Sequence, residues 1–345
     1  MEHLIELPQH ILVGTHILHR VPMLCRAVEP HLQQPLVLAG PHTWGIAGKE
    51  VAAALRGKGF AVAEDTITLL TAATVKALEE EHADADMVIA VGGGRVIDAG
   101  KLFAFDRTIP FVSIPTAPSH DGIASDRARI TDGGPPFTVQ SKVPNAIIAD
   151  IDILRSAPQR LVAAGFGDVL SNYTAYADWE LGKKHGEYFG DYAANLALLS
   201  SQVASAAAED IRSRSLSGIR ALMDALISSS IAMAVAGSSR PASGSEHMVA
   251  HVLEGNGSKA LHGELVGVAA ILMAKWQGND WEMVRDALQR AGAPTTAAQL
   301  GETRERLVRA LLEAAAVRTD RWTILQEKPL NRAAAEKLCT ETGVC

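Results

Sequence analysis

The feature that most restricts the fold is a rhythm. From PLVLAG (35–40) onward, short runs rich in Val, Ile and Leu alternate with longer stretches of helical periodicity. PLVLAG reads as a strand, and GIAGKEVAAALRGKG (45–59) reads as a helix stopped by Gly59. FAVAEDTI and DMVIAVGGG are further strands, separated by the helical stretch TAATVKALEEEHA. RVIDAGKLFAF is the next helix, and IPFVSIPTAPS is another short buried strand. Strands joined through helices pair in parallel, which predicts βαβ units and one sheet. The run TDGGPPFTVQSKVPNAIIADIDIL (131–154) breaks the rhythm and predicts a hairpin and one more strand. Beyond SAPQRL (156–161) the strand signals stop. Ala- and Leu-rich helical periodicity then continues to Cys345, interrupted at GKKHGEYFG, AGSSRPASG and GNGSK. The expected architecture is an α/β domain with a Rossmann-like parallel sheet over residues 1–155, followed by an all-α domain over 156–345.

Composition narrows the partners. A net charge of −7 argues against nucleic acid, because phosphate backbones select basic surfaces. An aromatic content of 5% leaves few residues for stacking on single strands. The uncharged stretch ALISSSIAMAVAGSS (225–239) is too short to span a bilayer and carries several serines, so it reads as a buried helix. MEHLIELPQH shows no basic segment followed by an apolar run, so no secretion signal is expected. Cys25, Cys339 and Cys345 are odd in number and outside any CxxC spacing, which fits a reduced, cytoplasmic chain without thiolate metal ligands.

Two stretches carry chemistry. VIAVGGGRVIDAGK (88–101) places three glycines between a buried strand and a helix. Such a turn lets a backbone approach a diphosphate, and the helix start stabilises its charge. The full GxGxxG fingerprint fails because Ile97 stands at its third glycine, and a plain tight turn gives the same local pattern. SIPTAPSHDGIAS (113–125) sets Thr116, Ser119, Asp121 and Ser125 at a second strand end on the same sheet edge.

The other stretch is SGSEHMVAHVLEGNGSKALHGE (243–264), with His247, His251 and His262 close together. Ser243 and Glu246 match an S-x-x-E capping box, and Gly255 reads as the stop, which sets His247 and His251 on one helix face. Met248 stands where a zincin has its glutamate, against a metalloprotease. Three histidines flanked by glycine turns suggest a metal or catalytic site. Asp168 in AAGFGDVLSNYTA is the acid placed to complete it, or else a helix-end cap.

Together VGGGRVIDAGK, SIPTAPSHDGIAS, APQRLVAAGFGDVLSNYTA, SSRPASGSEHMVAH and LHGELVGV resemble the sn-glycerol-1-phosphate dehydrogenase family. That family sits among the iron-containing alcohol dehydrogenases, glycerol dehydrogenases and dehydroquinate synthases, and the resemblance runs from ILVG (11–14) to HGELVGV (262–268). It implies an active site in the cleft between the two domains. It also implies reduction of dihydroxyacetone phosphate by NADPH or NADH to sn-glycerol 1-phosphate, the backbone of archaeal ether phospholipids. By motif, Asp168, His247 and His262 would hold one divalent ion, with zinc expected. Asp121, Asp168 and His251 would contact substrate, and His251 is the candidate proton donor, since histidine as a residue type titrates near the working pH. Gly94, Arg95, Val96, Ile97, Asp98, Thr116, Ala117, Pro118, Ser119 and Ser125 would contact the dinucleotide. A homo-oligomer is expected, without membrane insertion. Leu265 departs from the family pattern, where a glutamine is expected.

The rivals are a dehydroquinate-synthase-like lyase, a glycerol dehydrogenase acting on unphosphorylated polyol, and a binding module without activity. Two further expectations concern specificity. No acid follows PLVLAG at Gly40, Pro41 or His42, so NADPH is expected to serve at least as well as NADH unless Glu64 or Asp65 discriminates. The substrate phosphate is assigned to Arg240 or Lys259, which precede the two histidine-bearing helices.

Overall fold

The computed structural model describes residues 4–134 and 137–345. They divide into two compact units, one running to Pro118 and resuming over Gly122–Pro158, the other made of Ser119–Asp121 and Gln159–Cys345.

The first unit is built on a six-stranded parallel sheet of order β1-β8-β5-β4-β2-β3. Its strands are β1 (His10–Gly14), β2 (Pro35–Ala39), β3 (Ala63–Thr66), β4 (Met87–Gly92), β5 (Phe111–Pro115) and β8 (Ala146–Asp150). Its helices are α1 (Val21–Val28), α2 (Pro41–Thr43), α3 (Lys49–Arg56), α4 (Ala72–Glu81), α5 (Gly94–Arg107) and α6 (Ile151–Ser156). The central strands β2, β4, β5 and β8 are buried along their whole length, which is why they read as unbroken apolar runs. β3 shows the half-exposed alternation of an edge, AEDT. After β3 the chain returns to the far side of β2, so the order reverses between β2 and β4, where a parallel sheet opens a ligand crevice at its carboxyl edge.

The expected hairpin is β6 (Arg127–Ile130) with β7 (Phe137–Gln140), antiparallel and separate from the main sheet. It starts before the stretch TDGGPPFTVQ, of which Pro135 and Pro136 lie outside the described residues. Fully buried Lys101 fixes the segment that leads into the hairpin. Its ammonium donates to the carbonyls of Gly122 and Arg127 (2.7 Å for the latter) and to Ser125 Oγ at 3.3 Å, with Asp98 Oδ1 at 3.4 Å.

The second unit contains no strand among its described residues. It comprises α7 (Gln159–Leu170), α8 (Asn172–Lys184), α9 (Asp191–Ala206), α10 (Ala208–Ser213), α11 (Leu216–Ala236), α12 (Ser245–Gly255), α13 (His262–Gln277), α14 (Trp281–Ala291) and four shorter or later helices reaching Thr342. The three interruptions read in the sequence each begin in the last residues of a helix, α8, α11 or α12, and run into the loop that follows. α11 is longer than its uncharged stretch suggests: its 21 residues have the length and mean hydropathy (1.5) to cross a membrane. Its buried Ser229 and Ser230 hydroxyls bond inside the helical unit, the behaviour of a core helix.

Candidate active site and metal centre

Three helices bring the site together. His247 lies in the first turn of α12, His251 one turn later on the same helix, and His262 opens α13. Their ring centroids are separated by 5.1 Å (His247–His262), 6.0 Å (His251–His262) and 6.1 Å (His247–His251). Asp168 lies buried in the last turn of α7 with its carboxylate directed at the Asp121 N–H and His262, not at a helix start, so the helix-end cap reading is set aside. One donor atom from each of Asp168, His247 and His262 lies within 4.8 Å of the others, and Asp168 Oδ1 is 3.8 Å from His262 Nε2. His251 falls outside that set, although spacing alone would pair it with His247.

The ring orientations fit a metal centre. His247 Nδ1 lies 2.8 Å from Glu246 Oε1, and His262 Nδ1 lies 3.0 Å from Glu254 Oε1. An ionised carboxylate only accepts, so each ring carries its proton on Nδ1 and keeps the Nε2 lone pair for an ion. Two neutral imidazoles and one carboxylate are the donor set of a three-ligand catalytic zinc or iron site, and carboxylates behind the histidines are the usual outer support. Glu254 was not singled out in the sequence, yet it continues the stripe His247, His251, Glu254 at helical spacing.

Small residues make the convergence possible. A Cβ on Gly263 would sit 1.8 Å from the Ala164 carbonyl oxygen, and one on Gly167 would sit 2.2 Å from the Gly263 carbonyl oxygen. Only glycines let α7 and α13 approach this closely, and that approach sets Asp168 beside His262. Leu265, the departure from the family pattern, is a fully buried core residue of α13.

Behind the ligands lies a buried polar layer. The expected Ser243 capping box does not form: α12 begins after Gly244 with no side-chain cap. Glu246 turns inward instead, with Oε1 accepting from the Gly244 N–H at 2.6 Å as well as from His247, and Oε2 from Thr174 Oγ1 at 2.8 Å. Burial raises the Glu246 pKa, but the hydrogen bonds from His247 and the Gly244 N–H outweigh it and hold the group below the usual carboxylate range. Asp178 accepts from the N–H groups of Ser245 (2.6 Å) and Ile324 (2.8 Å). Complete burial, with the negative charge of Glu246, pushes it up to about 6.

This layer argues against Arg240 as the contact of the substrate phosphate. Arg240 is buried, and its guanidinium donates to the carbonyls of Asp178 and Trp322 (3.2 and 2.8 Å) and pairs with Glu187 at 2.7 Å. All three contacts are made by Nη2, while Nε and Nη1 are buried without a hydrogen-bond partner among the described residues. Lys259 stands exposed in the loop before α13.

Asp121 groups with the helical unit because three of its atoms bond there. Its N–H donates to Asp168 Oδ2 at 2.8 Å, its Oδ2 accepts from Ser229 Oγ at 2.9 Å, and its carbonyl accepts from Ser230 Oγ. Ser229 is steadied in turn by Asn172 Nδ2 at 3.0 Å. The serines of α11, read from sequence only as marks of a buried helix, therefore position a substrate-site candidate.

In the sheet unit, the glycine turn lies between β4 and α5 at the reversal in strand order. A Cβ on Gly92 would strike Val96 at 2.7 Å, while one on Gly93 would meet nothing within 4 Å, which leaves that backbone approachable. The Val96 and Ile97 N–H groups return to the Gly93 carbonyl, so Gly94 and Arg95 offer the outward N–H groups of the helix start. Gly100 does the work expected at position 97, since a Cβ there would lie 2.7 Å from Ala90 Cβ on β4. Ile97 and Asp98 can take part only through their main chain. Ile97 is fully buried, and the Asp98 carboxylate accepts from the Arg129 N–H at 3.0 Å beside Lys101. Ser125 is buried against Lys101. Thr116, Ala117 and Pro118 follow β5 as a buried strand end, and Ser119 is half-buried. Beside the turn, Thr43 Oγ1 ties the ends of β2 and β4, bonding the Gly40 N–H and the Val91 carbonyl at 2.8 Å each. Glu64 is paired with Arg56 and Asp65 with His82, so neither acid is unengaged.

Known proteins share this fold. A family model described as iron-containing alcohol dehydrogenase matches residues 12–158. The glycerol dehydrogenase of Schizosaccharomyces pombe superposes with a TM-score of 0.82 at 20% identity, covering 99% of this chain and 90% of that one. A 1,3-propanediol oxidoreductase superposes with a TM-score of 0.76 at 15% identity, covering 99% and 100%. The fold class is that of the iron-containing alcohol dehydrogenases. Relatives closer in sequence are the glycerol-1-phosphate dehydrogenases (NAD(P)+) of Methanosarcina mazei, 42% identical over 98% of this chain and 96% of its own length, and of Metallosphaera sedula, 43% identical over 99% and 98%. That of Pyrococcus horikoshii is 43% identical over 99% of both chains. The chain belongs to the glycerol-1-phosphate dehydrogenase family.

Proposed function

We propose that the protein reduces dihydroxyacetone phosphate to sn-glycerol 1-phosphate with NADPH or NADH, using one divalent ion, zinc by expectation, and that it works in the cytoplasm as a homo-oligomer supplying phospholipid synthesis. The observation that carries the proposal is the Asp168, His247 and His262 cluster with a glutamate behind each imidazole. The names of the relatives support the substrate and the cofactor.

Bound at these residues, a divalent ion supplies Lewis-acid polarisation of the substrate carbonyl, and a nicotinamide supplies the hydride. The protein's own groups do the rest. Glu246 and Glu254 keep both ligand rings in the tautomer that leaves Nε2 basic. Asp121, held by Ser229 and Ser230, orients substrate hydroxyls and steadies Asp168 through its N–H. His251 delivers the proton to the reduced oxygen. Gly94 and Arg95 N–H groups receive the cofactor diphosphate, with Val96, Ile97 and Asp98 shaping the turn and Thr116, Ala117, Pro118, Ser119 and Ser125 forming the neighbouring strand end. Lys259 takes the substrate phosphate.

The test is oxidation of NADPH in the presence of dihydroxyacetone phosphate, with stereochemical analysis of the product. The proposal predicts turnover to the sn-1 isomer and far less with unphosphorylated dihydroxyacetone. Equal turnover of the two substrates would instead favour a polyol dehydrogenase.

A further inference from the structure

Helix α9 is packed the wrong way round for a surface helix. Its buried face is made of small residues, Ala193, Ala194, Ala197, Ser200, Ser201 and Ala204. Its large apolar residues face outward: Tyr192 is 71% exposed, Leu199 53% and Val203 41%. A helix normally does the reverse, because burying large apolar side chains is what stabilises its docking. The outward residues Tyr192, Leu196, Leu199, Val203 and Ala206 follow alternating steps of four and three. That is the heptad seam of a helix that pairs with another helix. Only Asp191 is charged along the whole of α9, the charge depletion typical of an interface core.

We infer that α9 is the two-fold contact between two copies of this chain, with the two α9 helices antiparallel and crossing at Leu199. The seam is complementary to itself in that register. Leu199 meets its own copy, and Tyr192 of one copy lies opposite Ala206 of the other, so the largest residue faces the smallest. Ala206 also borders a cavity of about 330 Å³ whose lining combines apolar Leu170 and Met283 with Tyr173, Gln202, Ser205 and Arg290. That volume accepts one tyrosine ring, and its polar lining can bond the phenol hydroxyl. Charge agrees with the register. Arg290 pairs with Asp286 (2.7 Å) and sits at the Ser205 carbonyl (3.4 Å), so the same arrangement brings the exposed Asp191 of one copy, 3.5 Å from its own Lys183, near Arg290 of the other. An isologous contact needs this reciprocity, since each patch must be its own partner. The inference deepens the homo-oligomer part of the proposed function and is independent of the reaction, so an assembly test can fail while the catalytic reading stands.

The experiment measures mass in solution by light scattering at micromolar protein, together with cysteine cross-linking in a Cys345→Ser background with copper phenanthroline as oxidant. Leu199→Glu should halve the particle mass while the circular dichroism spectrum stays that of the wild type. Leu199→Cys should give a disulfide-linked dimer, whereas Val203→Cys should not, because antiparallel pairing keeps the two Val203 positions about 12 Å apart along the axis. A wild-type monomer would overturn the inference. So would an unchanged mass in Leu199→Glu, or cross-linking at Val203 as efficient as at Leu199, which marks parallel pairing.

Discussion

The close approach of α7 and α13 offers a sharp test, because a single methyl group opposes it. In Gly263→Ala the added Cβ would lie 1.8 Å from the Ala164 carbonyl oxygen, where ordinary contact begins near 3.4 Å. The obstacle is main chain, so no side chain can swing away, and the helices must part by about 1.5 Å. Metal–ligand distances tolerate only about 0.2 Å. Asp168 and His262 stand on the two helices that separate, so the chelate loses one anchor. Overpacking of this kind costs about 1–3 kcal/mol of stability. The expected result is a folded variant of lowered melting temperature, with sharply reduced zinc content by mass spectrometry and little turnover. Gly255→Ala is the control, since a Cβ there meets no atom within 4 Å. If Gly263→Ala bound zinc and turned over like the wild type, the argument that glycine contact positions the ligands would be wrong.

Other consequences follow from single groups. His251→Ala should keep its metal and lose turnover, because the ring lies outside the ligand set; loss of metal in this variant would return His251 to the ligands. Lys259→Ala should lower kcat/KM for dihydroxyacetone phosphate roughly tenfold to a hundredfold with little effect on unphosphorylated dihydroxyacetone, and intact kinetics would place the phosphate elsewhere. Gly40→Asp should penalise NADPH more than NADH, as measured by the ratio of their kcat/KM values, and an unchanged ratio would remove Gly40 from cofactor choice. Asp178 has a folded pKa near 6 against an ordinary value of 3.8. Between these values the native state holds a proton that the unfolded chain has released, so this group adds stability as pH falls from about 6 to 4 and loses it as pH rises. The difference in unfolding free energy between wild type and Asp178→Asn should therefore grow in favour of the wild type over that range, by an amount on the order of 3 kcal/mol. A pH-independent difference would contradict the assignment.

Much of this was readable from local pattern. The buried strands β2, β4 and β5 declared themselves as apolar runs, and the histidines and Asp168 by their company of glycines. What local pattern concealed were partners distant in sequence. Ser243 and Glu246 have cap spacing, but His247 Nδ1 and the Gly244 N–H draw the carboxylate inward, and a buried carboxylate is held where donors are most numerous. Arg240 stands in a Ser-, Pro- and Gly-rich segment that reads as a surface loop, yet Glu187 and two carbonyls supplied from other segments bury it. The close-packing glycine of the dinucleotide turn was sought at Ile97 and stands one turn later, at Gly100, because only the three-dimensional contact with Ala90 and Phe111 fixes which helix position faces the sheet. Ser229 and Ser230 carry no motif at all. Their role depends on Asp121, more than a hundred residues away in the chain.

The central claim is that Asp168, His247 and His262 form one metal site required for reduction of dihydroxyacetone phosphate. Its most direct test is a zinc titration of chelator-stripped protein, with NADPH oxidation followed in the presence of that substrate. The account predicts negligible activity before zinc, a rise to full activity at one equivalent per chain, and no such rise in His262→Ala. Full activity in the stripped protein, or a normal titration in His262→Ala, would contradict it.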